Sequence, residues 1–175
     1  MGGSGEPEAT TDPTDAADTA GLLTTKLMVP VPRWRPVARQ RLFALLDDGT
    51  QGPMTLLAAP AGYGKTLLLT AWATGGSAGG SGPPGPVAWV RVGPGDHHPR
   101  RFWAHVLAAL DGAGVVRADG LLAGLNPHLE IGDGFLRAFV GGLSELDGPV
   151  VLILDDLHEA TGLAVAGQLR FLLRH

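Results

Sequence analysis

The sequence predicts an α/β fold organised around a parallel sheet. Three short apolar runs bounded by turn residues alternate with segments of helical periodicity, and the last run, Val150 to Leu154, is five consecutive aliphatic residues. Such an uninterrupted run is typical of a central parallel strand, which helices cover on both faces. The order strand, helix, strand, helix, strand, helix then predicts right-handed crossovers between parallel strands.

Composition limits the classes of protein to consider. The 175 residues suit one domain or part of a larger protein, and a hydrophobic content of 45% suffices for a core. A net charge of −4 gives no overall attraction to nucleic acid or anionic membranes. The absence of cysteine excludes a disulfide framework and thiolate zinc sites. No apolar run approaches the ~20 residues that cross a bilayer, so a cytoplasmic protein is expected.

The chain divides into a leader and one folded domain. Residues 1–25 are rich in Gly, Thr, Pro and Asp and lack the features of an export signal, which predicts a disordered leader. Residues 26–175 carry the regular patterns. They begin with a helix over Pro36 to Gly49, where apolar residues recur at helical spacing at Ala38, Leu42, Leu45 and Leu46.

Four arginines cluster near the start of this helix: Arg33, Arg35, Arg39 and Arg41. They could line a groove for polyanions or form the solvated start of the helix, and charge alone leaves both interpretations open.

The next segments supply the first strand and its helix. "PMTLLAAP", residues 53–60, is a brief apolar run between turn residues and predicts a strand; "GKTLLLTAWAT", residues 64–74, predicts a helix. Residues 75–86 contain only Gly, Ser, Ala and Pro, the composition of a connector. A second strand is expected over residues 86–93.

The remaining elements follow the same alternation. Helices are predicted over residues 98–114, 133–146 and 163–174, and the third strand lies within residues 148–158. The residues expected to face inward from these helices are Phe102, Val106, Leu110, Phe135, Phe139, Leu143, Val165, Leu169 and Leu172. Trp72, Trp89 and Trp103 lie on predicted core elements, which favours packing over base stacking.

The stretch "LLAAPAGYGKTLLL" has the pattern of a phosphate-binding turn. A strand, a glycine-rich turn and a helix beginning at Gly-Lys-Thr would direct several backbone N–H groups and a positive helix end towards one point. Gly62 and Gly64 permit the required backbone angles, Lys65 would reach the outer phosphates, and the Thr66 hydroxyl would bind Mg²⁺. An ordinary glycine-rich turn is the structural alternative.

One position departs from the strict pattern G-x-x-x-x-G-K-[ST], because Ala59 stands where the first glycine is usual. Alanine restricts φ but leaves the phosphate-contacting amides in place. We call residues 59–67 the glycine loop. All of its residues are candidates for nucleotide binding: Ala59, Pro60, Ala61, Gly62, Tyr63, Gly64, Lys65, Thr66 and Leu67.

Two carboxylates end the aliphatic strand. Open α/β sheets bind ligands at the carboxyl ends of their strands, so Asp155 is expected to face the metal if its strand lies beside the glycine loop. Asp156 would then lie near the terminal phosphate and could orient or deprotonate a water. A turn or helix cap is the alternative for an isolated Asp-Asp pair.

The histidines give weaker indications. His158 could sense a terminal phosphate, but a histidine at a loop-to-helix boundary is commonly a surface residue. His97 and His98 beside Asp96 suggest a metal site, yet adjacent histidines point in different directions, so helix capping explains them better.

With these residues placed, the chain resembles the N-terminal part of the STAND-type P-loop ATPase module of large LuxR-family, MalT-like transcriptional regulators. The resemblance runs from about Lys26 to His175, through "KLMVPVPRWRPVARQRLFALLDDG", "MTLLAAPAGYGKTLLLTAWA", "VAWVRVGPGDHHPRRFWAHVLAAL" and "VVLILDDLHEATGLAVAGQLRFLLRH". It implies a three-layer P-loop NTPase domain over residues 26–175 that binds ATP with Mg²⁺ and acts as a slow switch.

By position, the resemblance implies a Walker A phosphate loop from Ala59 to Thr66 and a Walker B strand that ends at the metal carboxylate Asp155 and its catalytic or sensing neighbour Asp156. Arg39 falls in the segment that passes the nucleotide base. In that family, C-terminal repeats sense the signal and a helix-turn-helix binds promoter DNA, so partners are expected in missing C-terminal domains and no nucleic acid is expected to contact this segment.

The chain departs from the family by ending before the sensor strand. The resemblance implies that this strand lies between the glycine-loop strand and the Asp155 strand, so both are expected to lack a backbone partner there. The groups that complete the site for hydrolysis would also be missing, so weak or no hydrolysis is expected.

Two other functions remain open. A small-molecule phosphotransferase would need lid arginines, and after Asp156 the sequence offers only Arg170 and Arg174. A degenerate interaction module would have kept the fold without the nucleotide, which Lys65, Thr66 and Asp155 argue against. A GTP switch is disfavoured because no Asn-Lys-x-Asp segment occurs.

Overall fold

A computed structural model describes residues 25–32, 37, 39–75, 82–160 and 162–174. The predicted leader, Arg33, Arg35, Pro36 and Ala38 lie outside these residues, apart from Thr25 at the end of the leader. The described elements are helices α1 (Gln40–Gly49), α2 (Lys65–Ala73), α3 (Pro99–Gly112), α4 (Asp133–Ser144) and α5 (Leu163–Leu172), and strands β1 (Val87–Arg91) and β2 (Val151–Asp155). Short 3-10 turns cover Leu121–Gly124 and Leu157–Glu159.

The mixed α/β class and the parallel pairing are confirmed. β1 and β2 lie side by side and parallel, with Val87 opposite Val151 and Arg91 opposite Asp155. The pairing continues at both ends, where Val151 donates its amide to Pro86 O and Val92 donates to Asp155 O, both at 2.9 Å. Two parallel strands need a crossover, and α3 and α4 provide it.

Alternate residues of β1 face two different hydrophobic clusters. Ala88 and Val90, with Val92 just after the strand, pack on one face with α3, α4 and α5. Trp89 packs on the other face with Ile153 of β2 and with residues of α1 and α2. Helices therefore cover both faces of the sheet, which explains why β2 needs no polar alternation.

The face packed by α3 is held by aromatic contacts around Trp103. Its ring meets Phe102, Phe135 and Phe139 edge to face, at centroid distances of 5.5, 5.6 and 5.0 Å. Its indole N–H donates to Gln168 Oε1 at 2.8 Å, and Gln168 in turn donates to Ile131 O at 3.1 Å. These bonds satisfy the polar groups that α3 and α5 bring into the interface.

Most of the predicted inward residues are buried or half-buried. Phe102, Val106, Leu110, Phe139 and Val165 are buried, and so are the three tryptophans at positions 72, 89 and 103. The others on α4 and α5 are half-buried. The prediction for α1 is less accurate, because this helix starts at Gln40 and buries Phe43 and Leu46 while Leu45 is 57% exposed.

The predicted strand over residues 53–60 is wrong. No residue from 54 to 60 is in a strand, and Met54 and Leu56 are 59% and 74% exposed. An extended segment becomes a strand only when its N–H and C=O groups find a partner. Among the described residues β1 and β2 pair only with each other, so the main-chain groups of this segment take part in no strand ladder.

Candidate functional site

The glycine loop turns directly into α2. Gly62 and Gly64 have φ of 80° and 79°, in the left-handed region that favours glycine. Gly64 is the N-cap of α2, and its carbonyl oxygen accepts the Leu68 amide at 2.9 Å. The sequence places its two glycines where this turn requires them, and the backbone then enters the helix at Lys65.

Lys65 curls back over the loop that precedes it. Its ammonium donates to Ala59 O at 2.7 Å and to Pro60 O at 3.1 Å. A lysine ammonium has three N–H donors, so these two bonds leave one donor for a further acceptor. The side chain thus stays near the loop's main chain.

Thr66 joins the glycine loop to the end of β2. Its hydroxyl lies 2.9 Å from Asp155 Oδ2 and 3.1 Å from Oδ1, although 89 residues separate the two along the chain. One hydroxyl proton serves one of these oxygens at a time. Two residues predicted from separate parts of the sequence therefore contact each other.

Asp155 is buried, with 3% of its surface exposed. Burial raises the pKa of its carboxyl above the usual range, and the charge of Asp156 adds to this rise; the Thr66 hydrogen bond and the charge of Arg91 oppose it. Burial has the largest effect on this pKa, and it acts by disfavouring the charged form of the carboxyl.

Asp156 adopts an unusual backbone conformation. Its φ of 57° and ψ of 34° are left-handed, and it is the one non-glycine residue with positive φ among those described. It stands at the N-terminal side of the turn Leu157–Glu159, without a side-chain cap. Asp156 Oδ2 lies 3.6 Å from Arg91 Nε on the neighbouring strand, a contact that sequence analysis missed.

The remaining predicted residues lie around or apart from this cluster. Tyr63 and Leu67 are 67% and 50% exposed. Arg39 is exposed just before α1, where its carbonyl oxygen accepts the amides of Leu42 and Phe43, and it takes no part in the contacts of Lys65, Thr66 and Asp155. His158 is exposed and its Nε2 lies 3.4 Å from Glu159 Oε1.

The capping role predicted for the Asp96 segment is wrong. His98 is the N-cap residue of α3 but makes no side-chain cap hydrogen bond. Asp96 is fully buried and contacts three basic side chains instead: Lys26 Nζ at 2.9 Å, Arg101 Nε at 3.3 Å and His105 Nδ1 at 3.1 Å, the last off the hydrogen-bond axis. The Gly93 amide donates to its Oδ2 at 2.7 Å. The three basic partners lie 5 to 70 residues from Asp96 along the chain, so no local sequence pattern indicated these contacts.

Open space surrounds the two glycines of the loop. A Cβ added at Gly62 or Gly64 would meet no atom within 4 Å, so the backbone there is uncovered by side chains of the described residues. Mg²⁺ usually takes one or two carboxylates, with phosphate and water oxygens completing its shell. Thr66 and Asp155 form such a partial set. In the described part of the chain no three His, Asp or Glu side chains group as a metal site, so a cation here would rely on ligand oxygens.

The comparisons with known proteins relate this chain to transcriptional regulators. It is 31% identical over 156 residues to the HTH-type transcriptional regulator MalT of Cronobacter sakazakii. The MalT proteins of Yersinia enterocolitica and Serratia proteamaculans are both 33% identical, over 156 and 157 residues. The chain is homologous to a segment of MalT.

Each alignment covers 88% of this chain, which spans only 16% of the length of the MalT relatives. No family model matches the chain. The described helices include none that is long and apolar enough to cross a membrane.

Proposed function

We propose that this chain is an ATP-binding switch module of a signal-responsive LuxR-family transcriptional regulator, acting in the cytoplasm. The contact between Thr66 and Asp155 carries the proposal, because it unites the hydroxyl of the glycine loop with the carboxylate that ends β2. Homology to a segment of MalT, a transcriptional regulator, supports the regulatory context.

The proposed binding roles follow from the chemistry of each group. Backbone N–H groups of residues 61–67, at the glycine turn and the start of α2, would hold the phosphates. Lys65 would give the outer phosphates its remaining N–H, and Thr66 and Asp155 would hold Mg²⁺. The metal would supply positive charge that offsets the phosphates. Asp156 is the proposed group that orients the attacking water. Slow hydrolysis would also need the groups that complete the site in the longer regulators.

Equilibrium binding of fluorescently labelled ATP and GTP to the 175-residue chain tests the nucleotide role. We expect Lys65→Ala to weaken ATP binding by roughly tenfold or more, because a charge-assisted hydrogen bond contributes about 1.5–3 kcal/mol. Asp155→Asn should reduce the dependence of binding on Mg²⁺, since an amide is a poorer ligand for the cation than a carboxylate. GTP should bind more weakly than ATP.

Arg170→Ala, which removes an exposed charge on α5, is the matched control and should bind ATP like the wild type. Equal ATP binding by the wild type and Lys65→Ala would remove the nucleotide role. Phosphate transfer from ATP to a small molecule would favour the phosphotransferase instead.

A further inference from the structure

Arg91 lies at the same end of the sheet as the candidate site. It is the last residue of β1 and is paired in register with Asp155, the last residue of β2. Register partners in a sheet project to the same face, and residues two apart on a strand share it. Trp89 and Ile153, two residues earlier on each strand, face α2. Arg91 therefore projects to the α2 face, where Thr66 meets Asp155.

The contact that Arg91 makes is weak and exchangeable. Its Nε lies 3.6 Å from Asp156 Oδ2, and the two side chains are 65% and 30% exposed. Exposed ion pairs contribute little to stability, because solvent screens them. A guanidinium has five N–H donors in a planar fork that matches the oxygens of a phosphate, so a bidentate phosphate contact would be stronger than this single one.

Charge balance also gives Arg91 a role at this end of the sheet. Asp155 and Asp156 place two carboxylates beside a loop suited to polyphosphate, and a second carboxylate near a phosphate is repulsive. Lys65 lies on the loop side, and Arg91 lies beside Asp156. Asp156 has a left-handed backbone, a conformation that aspartate tolerates better than most residues, and its carboxylate faces Arg91.

We propose that Arg91 is a specificity-determining residue that releases Asp156 and binds the outermost phosphate of a nucleoside triphosphate. This inference rests on the proposed nucleotide site and adds a preference of that site for triphosphate over diphosphate. A diphosphate lacks the group that Arg91 contacts, so Asp156 keeps its arginine when ADP is bound. The contact between Arg91 and Asp156 would thus be broken when a triphosphate is bound and kept when a diphosphate is bound.

Equilibrium binding of labelled ATP and ADP to the purified chain in the presence of Mg²⁺ tests the inference. We expect Arg91→Gln to weaken ATP binding by about tenfold and ADP binding by less than about twofold, because one charge-assisted contact is lost with ATP only. Arg91→Lys should restore part of the ATP preference, since it keeps the charge without the fork.

Arg137→Gln is the matched control. Arg137 is 72% exposed and its Nη2 lies 3.7 Å from Asp133 Oδ2 on α4, a carboxylate contact as loose as that of Arg91. It should leave both affinities unchanged. Asp156→Asn should tighten ATP binding in the wild-type background and have a smaller effect beside Arg91→Gln, because the competition for Arg91 has then been removed.

Three results would overturn the inference in different ways. Unchanged ATP and ADP affinities in Arg91→Gln, with normal wild-type binding, would leave Arg91 as a surface ion pair. Equally reduced affinities would mean that Arg91 does not recognise the outermost phosphate, and either result keeps the nucleotide site. A wild-type chain that binds neither nucleotide would overturn the nucleotide site and the role of Arg91 together.

Discussion

Asp96 gathers three basic side chains around one buried carboxylate: Lys26, Arg101 and His105. Burial by itself would raise the pKa of Asp96, but contacts from His105, Lys26 and the Gly93 amide outweigh it and lower the pKa to about 2. The group is thus ionised throughout the neutral and mildly acidic range. It ties the segment before α1 to the loop between β1 and α3.

This pKa predicts how stability depends on pH. Because the carboxyl has a lower pKa in the folded chain than its ordinary 3.8, its contribution is fully present above the unfolded value and is lost as pH falls towards about 2. The shift corresponds to about 2 kcal/mol. Asp96→Asn should lower the free energy of unfolding and flatten its decline between about pH 5 and 2, measured by urea denaturation at several pH values.

The exposed Asp111 on α3 offers a control for this measurement. Asp111→Asn should follow the wild-type pH curve. If Asp96→Asn kept the wild-type slope below pH 5, the ionised state of Asp96 would not be what stabilises this loop.

At the scale of elements, the start of α2 depends on Gly64, whose backbone conformation most other residues adopt only with a loss of stability. Gly64 caps the helix with a φ of 79°, and an L side chain in that region costs roughly 1–2 kcal/mol. The space around it is open, so the cost comes from the backbone and not from a clash. The conformation of the loop and the start of the helix therefore both depend on the left-handed backbone of Gly64.

Opposite effects are expected for two alanine substitutions. Gly64→Ala should destabilise the chain by about 1 kcal/mol and weaken ATP binding, since the loop amides move with residue 64. Gly167→Ala lies inside α5, where an added Cβ meets no atom within 4 Å and φ is not positive; it should stabilise by about 0.5–1 kcal/mol. Thermal denaturation of both variants measures these changes in stability. A Gly64→Ala variant more stable than the wild type would contradict the left-handed cap.

At the scale of the whole molecule, apolar side chains are exposed before and within the glycine loop. Met54 and Leu56 are joined there by Tyr63 and Leu67, all at least half exposed. Each strand of the sheet also has one edge that no other described strand pairs with. Exposed apolar residues and unpaired strand edges favour association between chains.

Leu56→Lys should therefore increase solubility and reduce the binding of a hydrophobic dye without changing the free energy of unfolding by more than about 0.5 kcal/mol. The control is Leu163→Lys, since Leu163 is 92% exposed on α5, outside this group. Light scattering and dye fluorescence measure the effect. A large loss of stability in Leu56→Lys would mean that this side chain is packed in solution.

The sequence by itself determined the elements that depend on local pattern. The aliphatic run that became β2, the helical spacing of Phe102, Val106 and Leu110, and the two glycines of the loop each reflect a preference that a short segment expresses alone. For the same reason the sequence singles out Thr66 and Asp155, each through its own motif. Their roles in binding remain predictions.

Only the tertiary structure decided which groups meet. Residues 53–60 have the composition of a strand, but a strand also needs a partner's hydrogen bonds, and neither described strand pairs with them. Arg91 reached Asp156 through the register of β1 against β2, and Asp96 found Lys26 across 70 residues. Such contacts depend on chain packing over long sequence separations, which no local preference encodes.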